Sequence, residues 1–214
     1  MNQKTDAAGK PVTQGRSSRR AEYAEATRKA IVDAARRLFF EKGYFATRVD
    51  DIAEVARVSP ATVYSVGGGK QGLLRTLIDD WSDAPVVDQA RRRIGELDDP
   101  AEILRAVAAL TRSMRQDYGD IMHVVLAAAP HDETASEALA TATARYRGGT
   151  AFVAQRLADL GALREGIDAD KALDILWFYF GYSGFFTLVE DNGWTYAQAE
   201  QWLLDACCSA LLKA

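Results

Sequence analysis

The chain has 214 residues, 48% hydrophobic and 26% charged, which suits one or two globular domains and excludes wholesale disorder. Its two cysteines are adjacent, Cys207 and Cys208, so neither a disulfide scaffold nor a cysteine-rich zinc site is available, and this usage suits a reducing cytoplasm. The net charge of −4 conceals a division: residues 1–75 carry 14 Lys+Arg against 8 Asp+Glu, and residues 76–214 carry 12 against 22. A basic first third, net +6, can neutralise phosphate, while the acidic remainder cannot.

Residues 1–20 hold Lys4, Lys10, Arg16, Arg19 and Arg20 and read as a disordered basic arm with no apolar run, so no secretory signal is expected. From about Ala21 to Lys42 the period is helical, with Thr27, Ile31, Ala34, Ala35, Leu38 and Phe39 on one face and Gly43 as its stop. Thr47-Arg48-Val49-Asp50 has a capping-box pattern that predicts a short helix buried through Val49, Ile52, Ala53 and Ala56. Ser59-Pro60 predicts a third helix, Ser as N-cap and Pro in the first turn. Only Arg57 and Val58 separate Ala56 from that cap, and two short helices joined so tightly cross steeply, as in a helix-turn-helix.

Gly67-Gly68-Gly69 ends the third helix, and a fourth follows over about Lys70–Trp81. Residues 82–99, with Pro85 and Gly95, read as a linker around a broken helical segment. Later helices are expected near 101–117, 120–129, 132–160, 169–190 and 195–212. The run Ile175–Val189 is apolar but shorter than the roughly 20 residues of a membrane span. No segment alternates long enough to make a strand. The fold class is therefore all-α, divided into an arm (1–20), a helix-turn-helix domain (21–68), a connecting helix (69–83) and a larger helical domain (84–214).

Several motifs resolve to bland readings. Gly67-Gly68-Gly69-Lys70 lacks the earlier Gly and the following Ser or Thr of a phosphate loop. His123 and His131, the only histidines, do not have the spacing of a helical ligand pair, so no metal and no cofactor are expected. No nucleophile–base pairing is recognisable, which argues against an enzyme. Cys207 and Cys208 read as small core residues rather than a redox sensor.

Ile31, Ala34-Ala35, Leu38-Phe39, Gly43-Tyr44, Ala46-Thr47, Val49, Ile52-Ala53, Ala56, Val58-Ser59, Thr62, Tyr64, Lys70 and Leu73-Leu74 form about forty-five contiguous positions that resemble the TetR family of bacterial transcriptional repressors. Beyond Leu74 the likeness is only one of length and helical character. Arg57 stands where the family usually has Gly; in the left-handed conformation it costs roughly 1 kcal/mol. Val66 and Gly67 replace a usual His and aromatic, so one phosphate contact is missing.

The phosphate candidates are Thr47, Arg48, Tyr64 and Lys70, at helix starts and on the third helix; Arg57 adds a cation near the DNA backbone, and Ser59 belongs to the DNA-binding set. Pro60, Ala61, Thr62 and Ser65 occupy the half of the third helix that meets base edges, and none of these small side chains makes a bidentate guanine contact. The resemblance implies a homodimer, here through residues 169–212, whose aromatic run Trp177–Phe186 and whose Trp202, Leu203 and Leu204 supply apolar surface. It also implies a small-molecule effector. Met114, Tyr118, Met122, His123, Phe152, Trp177 and Phe178 are the candidate lining of a mostly apolar cavity, with Arg145, Arg147 and Arg156 near enough in sequence for an acidic group. A constitutive repressor without effector, and a helical enzyme or carrier, are the competing readings.

Overall fold

The computed structural model describes residues 14–213, with side chains from Arg19 onward. Among them are ten α-helices and one π-helical turn, and no strand. The first thirteen residues of the expected arm lie outside the described residues. Residues 14–20 are a correction: they belong to α1 (Gln14–Lys42). This Arg- and Ser-rich stretch, without proline, extends a helix whose later turns are anchored by the buried Ile31, Ala35, Leu38 and Phe39.

Helices α2 (Val49–Ala56) and α3 (Pro60–Gly67) follow. Ser59 Oγ accepts from the Thr62 N–H at 3.1 Å and Pro60 opens α3. Arg57 takes the left-handed conformation at φ 57° and ψ 43°. Its N–H reaches Glu54 O at 3.2 Å and the Val58 N–H reaches Ala53 O at 3.0 Å, the paired closure of a Schellman motif.

The start of α2 differs from its expected form. Thr47 is 1% exposed, and its Oγ donates to Gly43 O at 2.8 Å and Leu38 O at 3.1 Å. The hydroxyl satisfies carbonyls left open at the end of α1 rather than capping α2. Arg48 takes the cap position, its N–H donating to Asp51 Oδ2 at 3.1 Å.

Helix α4 (Gly69–Ser82) runs from the end of α3 into the larger helical region. Residues 82–99 are not a linker: Pro85 starts α5 (Pro85–Glu96) from its first turn, where proline needs no N–H, and Ile94 is buried. The two helices expected at 101–129 are one, α6 (Pro100–Ala128). Gly119 does not end it, because the glycine is buried there against Phe186. Helix α7 (Glu133–Asp159) follows, capped by Asp132.

The expected helix 169–190 is broken into α8 (Ala169–Phe180), α9 (Tyr182–Phe186) and the π-helical turn Thr187–Asp191. A side chain at Gly181 would meet Trp177 O at 2.3 Å, so only glycine permits this break. By length and composition alone Ala169–Asp191 suits a membrane span. Here its buried residues Ala172, Leu176, Phe180, Phe185 and Leu188 pack into the protein's own core. Helix α10 (Tyr196–Leu211) starts from the Thr195–Gln198 capping box.

The apolar interior forms two clusters. The first joins Ile31, Phe39, Ile52, Val63, Leu73 and Leu77 of α1–α4 to Met114, Ile121, Met122 and Val125 of α6, Ala142 of α7 and Tyr182 of α9. The second gathers Ile94, Leu104, Leu157, Phe180, Leu203 and Leu211 from α5, α6, α7, α8 and α10. The N-terminal helices therefore share a core with α6.

Candidate nucleic-acid interface and internal cavity

The outer face of α3 is built from small side chains. Ser59, Pro60, Ala61 and Ser65 are exposed and Thr62 is half-buried, while Val63 is fully buried and fixes the helix against α1, α2 and α4. Thr62 and Ser59 pair through their hydroxyls at 2.8 Å, and Ser65 Oγ donates to Thr62 O at 3.1 Å. Those local bonds hold the hydroxyls in place while leaving them at the surface. Tyr64 is 61% exposed, and its ring stacks over Gly69, where a side-chain carbon would approach to 3.0 Å.

Around this face stand Arg48 and Arg57, both exposed. Lys70, at the second position of α4, is half-buried. Its Nζ lies 4.6 Å above the Tyr44 ring and donates to Phe45 O at 3.4 Å. Burial pushes its pKa below the usual lysine value, partly opposed by Asp132. Of the ten expected DNA-facing residues, seven are exposed, and Thr62 and Lys70 are half-buried. Thr47 is the exception: its hydroxyl is buried and already committed to carbonyls.

A cavity of about 670 Å³ lies between the end of α4 and helices α5, α6, α7 and α9. Its apolar walls include Trp81, Val107, Leu110, Met114, Met122 and Phe152. Tyr146, Tyr182, Thr111 and Arg115 bring polar atoms to it. The size and character suit a small organic ligand.

Only three of the expected lining residues, Met114, Met122 and Phe152, are here. Tyr118 lies under the Arg36 guanidinium at 5.9 Å instead. His123 Nε2 is 2.6 Å from Glu190 Oε1, with its ring 4.0 Å from Phe186. Trp177 packs behind the wall, 5.4 Å from both Tyr146 and Tyr182. Phe178 points outward at 75% exposed. Each of these four was placed by its residue type, but helix rotation and the break at Gly181 decide which way a side chain faces. Trp81, Tyr146, Tyr182 and Arg115 were missed. Arg115 had a legible signal: it falls in register with Thr111 and Met122, four before and seven after, on the apolar face of α6.

Residues 31–77 match the family model described as bacterial regulatory proteins, tetR family. Over that segment the chain is similar to TetR-family regulators. It is 28% identical over 155 residues to the HTH-type transcriptional regulator YdeS of Bacillus subtilis, covering 72% of this chain and 75% of that one. Among solved structures it resembles SmeT in complex with triclosan, with a TM-score of 0.73, 22% identity, and coverage of 88% and 92% of the two chains. It also resembles a transcriptional regulator from Saccharomonospora viridis in complex with choline, with a TM-score of 0.73, 20% identity, and coverage of 87% and 98%.

One helix touches both features. The start of α4 abuts α3 so closely that a side chain at Gly72 would meet Gly67 O at 2.1 Å. Its other end supplies Trp81 and Ser82 to the cavity wall. A second link joins α1 to α6: Arg36 grips Asp120 through Nε at 2.6 Å and Nη2 at 2.7 Å, and also donates to Asp117 O. That hydrogen bond raises the Arg36 pKa against the opposing effect of burial.

Proposed function

We propose that this regulator is a homodimeric repressor of a palindromic operator, acting in the cytoplasm and released from DNA by a small-molecule effector. In this reading α3 enters the major groove. Pro60, Ala61, Thr62 and Ser65 meet base edges, and Arg48, Arg57, Ser59, Tyr64 and Lys70 hold phosphates. The effector occupies the cavity beside Trp81, shifts α4 and changes the spacing of the two recognition helices. It works only by binding the DNA-incompetent spacing more tightly than the competent one.

The observation that carries this reading is α4 itself, packed on α3 at Gly72 and lining the cavity at Trp81 and Ser82. The SmeT and S. viridis structures, which hold triclosan and choline, support a ligand in this fold. Phe178 and Trp202, exposed on α8 and α10, are the apolar surface proposed to meet the second copy.

Selection of duplexes from a random pool by the full chain, followed by a thermal-shift screen of small molecules, tests the proposal. A two-fold symmetric site bound by two chains, and ligands that raise the melting temperature while releasing DNA, are expected. Asymmetric or absent duplex binding removes the operator reading. Ligands that never weaken DNA binding leave a constitutive repressor.

A further inference from the structure

Helix α6 places a cation in the wall of the cavity with no anion beside it. Arg115 is 2% exposed, and its Nη2 donates to Gly181 O at 3.0 Å and Phe180 O at 3.4 Å. Nη1 meets only the Met122 thioether, at 3.1 Å. The Tyr182 and Phe186 rings lie 5.6 and 5.5 Å from Cζ. Carbonyls, sulfur and ring faces offset part of the desolvation cost, but none carries a negative charge.

Arg115 Nε is buried and has no acceptor. Arg156 Nε is likewise without one, but that guanidinium is neutralised by Asp98 at 2.6 Å. The other arginines once near the cavity in sequence are also engaged, Arg145 with Asp83 at 2.6 Å and Arg147 with Asp174 at 3.1 Å. The remaining charges that line the cavity, Asp83, Asp88, Arg91 and Arg145, are all exposed, at its solvent side. Arg115 is the cavity's buried charge.

We propose that the cavity takes a monoanionic amphiphile, a single carboxylate on an apolar body, and that the carboxylate pairs with the Arg115 guanidinium. The apolar body lies among Trp81, Leu110, Met114, Met122 and Phe152. A charge-assisted bond in this buried wall neutralises a guanidinium that otherwise has only carbonyls, sulfur and ring faces. The assignment rests on the effector reading above and narrows it to a ligand class.

Calorimetric titration of the full chain at pH 7.5 with sodium decanoate, sodium 4-phenylbutyrate, methyl decanoate and decylamine tests it. Decanoate is expected to bind at least tenfold more tightly than its methyl ester. R115Q, which keeps a donor but removes the charge, is expected to erase that ratio while still binding the ester, and R115K to restore part of it. Arg115 also holds the carbonyls that end α8, so circular dichroism checks the fold of each variant. Where R115Q does not fold, the wild-type ratio of acid to ester decides alone. Equal binding of acid and ester, or preference for decylamine, overturns the carboxylate assignment and leaves the effector cavity standing. Binding by none of the four also overturns it; the effector reading itself falls only if the thermal screen is empty too.

Discussion

Arg57 sits at the tightest turn of the DNA-binding unit with φ 57°, where an L residue is strained and glycine is not. Arg57→Gly is therefore expected to raise stability by about 1 kcal/mol, read as a higher denaturation midpoint. It also removes an exposed cation beside α3, so DNA affinity is expected to fall with a salt slope shallower by about one. A stabilised variant with unchanged salt dependence contradicts the phosphate role. The cysteines give a second test at this scale. Burial pushes the Cys207 thiol up to about 12, while Cys208, half-buried, is raised less. A thiol reagent at pH 8 is expected to label Cys208 first and Cys207 only on unfolding. The sign for stability follows from the raised value. The unfolded Cys207 ionises near pH 8.5 and the folded one does not until about 12, so its contribution is intact below that window and lost as pH rises through it. Equal labelling of both thiols in the native state contradicts the burial of Cys207.

The elbow between α3 and α4 depends on close backbone approach. Gly68 and Gly69 both take positive φ, and a carbon on Gly72 collides with the Gly67 carbonyl oxygen, which has no flexible way to yield. Gly72→Ala is expected to cost about 1–3 kcal/mol, the range for overpacking, and to weaken DNA binding by turning α3 away from its seat. Melting and DNA titration of the variant read both effects; a neutral result means the elbow is loose. The elements most legible in the sequence were those set by local chemistry. The Ser59-Pro60 start of α3, the Thr195–Gln198 box and the stop at Gly43 require only neighbouring residues. Elements set by distant contacts were misread. Pro85 marks a helix start only because Ile94 and Val87 find partners, and Gly119 stays helical because Phe186 packs on it. Thr47 illustrates the same limit, since its pattern fits a cap but the open carbonyls of α1 claim its hydroxyl.

Across the molecule, the two cores place α10 inside the larger unit, where Leu203, Leu204, Cys207 and Leu211 are buried. Much of the apolar surface that suggested a dimer interface through residues 169–212 is therefore spent within the chain. Phe178 at 75% and Trp202 at 49% exposed remain outside. Phe178→Asp with Trp202→Asp is expected to give a folded monomer by sedimentation, with DNA affinity reduced by at least tenfold, because one recognition helix then binds without its partner. An intact dimer would move the interface elsewhere. The central claim is that the cavity and the DNA face are coupled through α4, and linkage tests it without any variant. The Kd of the tightest cavity binder from the thermal screen is measured with and without saturating operator duplex, beside the Kd of the duplex with and without that ligand. The account predicts that each weakens the other by the same factor, about 5–150-fold for a typical coupling. A ligand Kd unchanged by saturating duplex contradicts it.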